Sequence, residues 1–198
     1  MARIPTSRDM PRSFVGAMAD TLQIVRRQPL AGRLAAGGGV SIAPAAPASR
    51  LSLRAPAASV AALSKALGVA LPVRPKASAT LGGRHALWLG PDEWLIVDEA
   101  LADLAALCRP VKALHAAVDV SHRNTAILVS GPGAADVLNA GCPQDLSLAA
   151  FPAGACSRTV FGKIEVVMLR TADDAFRVEV WRSFSDYAFT LMEAALRG

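Results

Sequence analysis

The chain runs through one order of elements twice, and this repeat limits the possible folds more than any single motif does. Pro56 and Pro132 each follow a predicted strand and stand in the first turn of a predicted helix, where proline's missing N–H costs nothing. A predicted hairpin and a second helix come next in both halves. Each hairpin carries a large aromatic residue just after an acidic turn, Trp94 in the first half and Phe176 in the second. We therefore expect an α+β fold made of two duplicated strand-helix-hairpin-helix halves.

The repeat also suggests where the compact part of the chain begins. Residues 1–45 are rich in Gly, Pro and Ala and lack periodic apolar positions, which predicts an extended N-terminal arm. Residues 46–198 are predicted to form a single compact α+β domain, with halves at about 46–110 and 111–198. The chain has 198 residues and is 53% apolar, so it can bury a sizeable core. The predicted core residues are Leu63, Trp94, Leu128, Val137, Leu138, Phe176, Val178 and Leu191.

The formal charge of +5 is concentrated in the predicted arm. Residues 1–34 contain six Arg and two Asp, which gives +4, and the remaining residues contain 15 basic and 14 acidic groups, which gives +1. A nucleic-acid surface needs clustered basic groups on the folded body, so no nucleic-acid partner is expected. No apolar run reaches the roughly 20 residues that span a bilayer, and the N-terminus lacks a secretory signal, so we expect a cytoplasmic protein without a membrane partner.

A charged arm that also contains apolar residues is better suited to a protein partner than to water. The hypothesis is that residues 1 to about 45 dock onto another chain. The candidate contact residues are Arg26, Arg27, Leu30, Arg33, Leu34 and, outside the arm, Arg123.

Several residues invite a catalytic interpretation that their pattern does not support. Asp119 and Ser121 share one face of a strand while His122 points to the other, so they cannot form a relay without a sharp bend. The glycines of 131–133 fail the dinucleotide fingerprint because Asp136 takes the place of its third glycine. The three cysteines include no C-x-x-C pair, and the three histidines lack metal-ligand spacing. No catalytic, cofactor-binding or metal-binding residue is expected on this chain.

Four segments carry a resemblance to a known family. They are "PLAGRLA" (29–35), "ALWLGPDEWLIVD" (86–98), "VDVSHRNTAILVSGPGAADVLNAGCPQDL" (118–146) and "FPAGACSRTVFGKIEVVMLRTADDAFRVEVWRSFSDYAF" (151–189). Together and in this order they resemble the gamma subunit of bacterial heterotetrameric sarcosine oxidase. The resemblance covers most of the chain from about residue 29, and residues 1–28 match nothing in it.

The resemblance implies an accessory, non-catalytic subunit of an oxidoreductase complex with alpha, beta and delta partners. Such a complex oxidatively demethylates sarcosine to glycine, makes hydrogen peroxide and passes the methyl carbon to tetrahydrofolate. The family implies no cofactor on this chain, with flavin, NAD, tetrahydrofolate and zinc on the partner subunits. In such a complex the docking hypothesis for the arm points to the alpha or beta subunit as the chain that it contacts. The family also implies a fold similar to the folate-binding part of the glycine-cleavage T-protein.

Two other hypotheses stay open at this point. One is a stand-alone folate-binding protein of the T-protein type, which would need an exposed carboxylate deep in an aromatic-walled pocket, and Asp119 and Glu179 are its candidates. The other is a hydrolase that uses His122 or Cys142.

Overall fold

A computed structural model describes residues 28–197, which fold into two antiparallel sheets and four helices. The strands are β1 Ala35–Gly37, β2 Val40–Pro44, β3 Ser49–Arg54, β4 Ser78–Leu81, β5 Arg84–Gly90, β6 Glu93–Asp98, β7 Ala116–Asp119, β8 Asn124–Ser130, β9 Cys156–Phe161, β10 Ile164–Ala172 and β11 Ala175–Trp181. The helices are α1 Val60–Leu67, α2 Leu104–Cys108, α3 Ala134–Asn139 and α4 Ser185–Ala195.

The two sheets have matching strand orders. The five-stranded sheet is ordered β4-β5-β6-β3-β7, and the six-stranded sheet is ordered β9-β10-β11-β8-β2-β1. The strand registers show which residues of the two halves are equivalent. Leu53 pairs with Trp94 in the first sheet and Val129 pairs with Phe176 in the second, so Leu53 corresponds to Val129 and Trp94 to Phe176. The predicted repeat is therefore real, and each predicted hairpin is in fact a three-stranded meander.

The halves exchange one strand each. β2 precedes β3 in the chain but pairs with β8, while β7 precedes β8 but pairs with β3. The connectors after β2 and β7 thus cross from one sheet to the other, and each begins with the same bond: Ala45 N donates to Ala126 O at 2.9 Å, and Val120 N donates to Arg50 O at 2.9 Å. Such exchange ties the two halves together through backbone pairing.

Apolar residues alternate along the strands and so create three cores in a four-layer arrangement. The outer face of the five-stranded sheet packs Trp94 and Ile96 under α1 and α2. The outer face of the six-stranded sheet packs Phe176 under α3 and α4. Between the sheets lies a smaller core that includes Leu87, Leu95, Val97, Val167 and Leu169.

Two predictions about the chain's organisation need correction. The irregular chain expected through residue 45 is wrong for residues 35–44, which form β1 and β2. Their Ala- and Gly-rich sequence has little strand propensity, and the order comes instead from the pairing of β2 with β8 and of β1 with β2. β4 was also not predicted. The division of the compact part into halves at residues 110 and 111 stays an interpretation.

The predicted core is confirmed at six of eight positions and fails at two. Leu128 is 39% exposed, because it lies on the inter-sheet side of β8 beyond the reach of the opposite sheet. Leu191 is only half-buried. Phe184 lies in a 3-10 turn before α4, so the helix begins later than its sequence suggests and turns a different face toward the core. The buried face of α4 is instead Ser185, Ala188, Phe189 and Met192. No side chain caps the N-terminus of this helix.

None of the helices in the described part of the chain is long and apolar enough to cross a membrane.

Candidate functional site

The predicted contact residues of the arm are placed in two different ways. Leu30 is 5% exposed and packs in the core beneath α3 and α4, so its side chain serves this chain's own fold. Arg33 ion-pairs with Asp186 at 3.3 Å and with Glu193 at 3.0 Å, which holds the base of the arm against α4. Leu34, in contrast, is 71% exposed. Arg26 and Arg27 lie outside the described residues.

Arg123 lies on an exposed surface at the mouth of the gap between the sheets. Its guanidinium lies 5.3 Å from the ring centre of Trp181, and its Nε donates to Asn124 Oδ1 at 3.0 Å. Trp181 also stacks on Phe184 at 5.9 Å, and both rings are about 40% exposed. Arg123 is therefore accessible in the isolated chain, and its role as a partner contact stays a prediction.

The Asp119-Ser121-His122 segment is a turn that crosses between the sheets. Asp119 Oδ1 accepts from Ser121 N at 2.8 Å, and the hydrogen bonds with Ser121 hold the pKa of Asp119 below its usual range. Ser121 Oγ accepts from Arg50 N at 2.8 Å. His122 is exposed and takes no part in these bonds. The serine hydroxyl therefore stabilises the connector through its hydrogen bonds to the backbone of Arg50.

The cysteines are buried and chemically protected. Burial raises the pKa of the Cys156 thiol to about 12, and it also raises the pKa of Cys108. Cys142 is 5% exposed, and its Sγ lies 3.8 Å from Thr159 Oγ1. A nucleophilic thiol needs an accessible, electropositive environment, which the structure does not give these residues.

The Gly-Pro-Gly turn is filled by the chain itself. Gly131 has φ +119°, and a Cβ built on it would lie 2.0 Å from Gly39 O in the β1–β2 turn. Its N–H already donates to Asp174 O at 2.8 Å. A phosphate therefore has neither the space nor the free donor that a dinucleotide loop provides.

The main electrostatic feature was not recognised in the sequence: a buried ion network between the two sheets. Glu179 has a fully buried side chain and accepts from Arg50 Nε at 2.5 Å and from Arg177 Nε at 2.8 Å. Arg177 also reaches Glu99 at 2.9 Å. The sequence signal for it was a pair of charged residues at alternate positions of β11, Arg177 and Glu179 in "FRVEV".

Neither candidate carboxylate of the folate hypothesis, Glu179 or Asp119, has surroundings that suit a pterin ring. Glu179 is neutralised by two guanidinium groups, and the cavity beside it, of about 40 Å³, holds a few waters at most. A wider cleft of about 270 Å³ lies beside Asp119, but the described residues that line it include no aromatic side chain. The site expected for a stand-alone folate protein is therefore not built at either residue.

No three His, Cys, Asp or Glu side chains within residues 28–197 come together as a metal site requires.

Comparisons with known proteins agree with the repeat and with the resemblance of the sequence. The model of the sarcosine oxidase gamma subunit family matches residues 50–196. Sarcosine oxidase subunit gamma from Corynebacterium sp. (strain P-1) is 34% identical over 82% of this chain and 86% of its own length.

Two solved structures match the fold. A chain of heterotetrameric sarcosine oxidase from Corynebacterium sp. U-96, in complex with pyrrole 2-carboxylate, superposes with a TM-score of 0.77 at 30% identity, over 87% of this chain and 95% of that one. The glycine cleavage system aminomethyltransferase T from Bartonella henselae superposes with a TM-score of 0.59 at 18% identity, over 78% of this chain and 45% of that one. The second match shows the T-protein-like fold alone.

Proposed function

This chain belongs to the sarcosine oxidase gamma subunit family, and from that premise we propose that it is a non-catalytic accessory subunit of a heterotetrameric sarcosine oxidase. The proposed complex demethylates sarcosine oxidatively to glycine, produces hydrogen peroxide and passes the methyl carbon to tetrahydrofolate. Within that proposal the partners are alpha, beta and delta subunits in the cytoplasm.

The observation that carries the accessory role is the use of Glu179. Glu179, a candidate carboxylate of the folate hypothesis, lies between the two sheets, where it is fully buried and held by Arg50 and Arg177. Cys142, the thiol candidate of the hydrolase hypothesis, is 5% exposed, and the hydrogen bonds of Ser121 beside His122 hold the connector after β7. The reactive side chains therefore support the fold, which favours an accessory subunit over the stand-alone folate protein and over the hydrolase.

Co-expression with the genes that neighbour its own tests the assembly. We expect the full-length chain to co-elute with two large subunits and one small subunit in size-exclusion chromatography. We also expect the purified assembly to oxidise sarcosine with release of hydrogen peroxide. A chain that elutes alone from an otherwise active oxidase would overturn the accessory role.

We also propose that flavin, NAD, tetrahydrofolate and zinc belong to the partner subunits. The purified full-length chain should then be colourless and metal-free by elemental analysis. A flavin absorbance band or stoichiometric zinc in the isolated chain would show that this part of the proposal is wrong.

The docking role of the arm stays a proposal for residues 1–27 and Leu34. Leu30 and Arg33 are committed to this chain's core and to α4, so deletion should stop before them. A chain lacking residues 1–27 is expected to bind the large subunits more weakly, and added salt should weaken the full-length chain's binding toward that of the deletion. Equal retention of both chains at all salt concentrations would exclude the arm as a docking element.

A further inference from the structure

The two sheets of the repeat differ by one strand, and the difference leaves an edge uncovered. β2 pairs with β8 on one side and with β1 on the other. Its counterpart β7 pairs with β3 and is the last strand of its sheet. The position that β1 takes beside β2 is therefore unfilled beside β7 within residues 28–197.

The backbone of β7 is set to pair again. Val120 N donates to Arg50 O at 2.9 Å, so in this register Val118 and Ala116 exchange hydrogen bonds with β3. The N–H and C=O groups of Ala117 and Asp119 alternate with them and point away from the sheet. Ala117 is the register counterpart of Ile42, which pairs with Ala35 of β1 in the other half.

The same edge exposes apolar side chains. Val118 is 56% exposed and Leu114 is 78% exposed. Edge strands of soluble proteins are commonly short or guarded by charged residues or Pro. β7 has four residues and ends at the exposed Asp119, but it contains no Lys and no Pro. The segment before it is held in place, since Ser59 Oγ donates to Leu114 O at 2.8 Å. The edge is thus a rigid and partly apolar template.

We propose that an extended segment of another subunit of the oxidase pairs antiparallel with β7 and completes the five-stranded sheet as β1 completes the other. This inference rests on the proposed function. A residue of that segment takes the place of Ala35 and bonds the N–H and C=O of Ala117, and its apolar neighbours cover Val118 and Leu114. Strand addition of this kind obtains affinity from main-chain bonds and specificity from side chains on alternate positions.

A pair of proline substitutions tests this edge. Ala117→Pro removes the outward N–H and places a ring on the free edge while it leaves the bonds to β3 intact. Ala36→Pro is the matched control, because Ala36 is exposed and its N–H points outward from the edge strand β1. Both full-length variants are co-expressed with the other subunits, and retention on a tagged large subunit is measured. We expect Ala117→Pro to weaken binding about tenfold or more and Ala36→Pro to bind as the wild type does.

The outcomes separate the edge from the proposed function. If the wild-type chain fails to assemble, the proposed function fails, and this inference falls with it. If the wild-type chain assembles and a folded Ala117→Pro variant assembles equally well, only the strand-addition inference is overturned. If Ala117→Pro does not fold, Val118→Asp replaces it, since that exposed side chain lies on the same edge and should weaken binding in the same way.

Two other occupants of the edge are distinguished by the isolated chain. If Ala117→Pro abolishes a concentration-dependent dimer, the edge binds a second copy of this chain and the inference is wrong. If it lowers the melting temperature of the isolated chain as much as deletion of residues 1–27 does, the strand comes from this chain itself. We expect neither effect, together with amide exchange at Ala117 that slows only in the assembled complex.

Discussion

The two halves of the chain share their outer faces and differ in the faces that they turn toward each other. At the helix-facing positions of the repeat, both halves have large apolar residues, and all of these residues are buried. The matched pairs are Leu51 and Ile127, Leu53 and Val129, Trp94 and Phe176, and Ile96 and Val178.

The inter-sheet positions are chemically different. Leu95 and Val97 in β6 correspond by register to Arg177 and Glu179 in β11. The first half thus supplies apolar surface, and the second supplies a carboxylate that is paired with Arg177 and with Arg50 from the first half. The difference shows that a duplicated scaffold can exchange apolar for ionic contacts at one layer, provided that every buried charge has a partner.

Removing the central carboxylate should break this arrangement most severely. Glu179→Ala leaves the buried guanidinium group of Arg50 without an anion and leaves Arg177 with Glu99 alone, and we expect a loss of about 3–5 kcal/mol in the free energy of unfolding. Urea denaturation of the full-length chain measures it.

The matched control replaces each charged residue of the network by the residue at the equivalent position of the other half. The triple variant Arg50→Ala, Arg177→Leu and Glu179→Val installs the residues found at the equivalent positions. Because apolar replacement of a whole buried ion network is often nearly neutral, we expect its stability to lie within about 1–2 kcal/mol of wild type. A triple variant as unstable as Glu179→Ala would show that the ionic layer stabilises the fold by more than charge compensation.

The shared helix-facing layer predicts a second large effect. Trp94 is fully buried, and its Nε1 donates to Pro72 O at 2.7 Å, so Trp94→Ala should lower stability by about 3–5 kcal/mol. Trp181→Ala is the control, because that ring is 41% exposed and should cost about 1 kcal/mol or less. A Trp94→Ala chain that melts like the wild type would show that the Trp94 side chain does not stabilise the core of the first half.

A smaller difference in stability is expected for substitutions at the residue that follows the strand before the first helix of each half. Ala55 and Gly131 are equivalent, and their N–H groups donate to Asp92 O and Asp174 O respectively. Gly131→Ala meets Gly39 O and keeps a strained positive φ, so we expect a loss of roughly 2–4 kcal/mol. Ala55→Gly loses one buried methyl and should cost about 1–2 kcal/mol. Equal thermal shifts for the two variants would mean that the β1–β2 turn yields to the added methyl.

The sequence predicted what local patterns determine and missed what depends on distant partners. Alternation and turn residues located β3, β5, β6, β8 and β11, because a half-buried strand has period two. β1 and β2 were missed because β2 is ordered by pairing with β8, more than 80 residues away in the chain, and β1 by pairing with β2. The strand exchange and the Arg50–Glu179 pair, 129 residues apart, are non-local for the same reason.

The smallest expected effect concerns pH. His85 is 9% exposed and corresponds by register to Val167 in the other half. Burial chiefly, and then the nearby Arg177, hold the pKa of His85 below its usual value, against an opposing pull from Glu99. Thr80 Oγ1 lies 3.0 Å from its Nδ1.

The sign of the pH effect follows from that lowered pKa. As the pH falls below the ordinary histidine value of about 6.5, the unfolded chain binds a proton more readily than the folded chain does, so stability falls with pH. His85→Val installs the residue of the other half and removes this titration. The variant should therefore lose less stability between about pH 7 and pH 5 than wild type does. Thermal melts across that range measure the slopes, and parallel curves for wild type and His85→Val would show that the folded chain accommodates a protonated imidazole between its sheets.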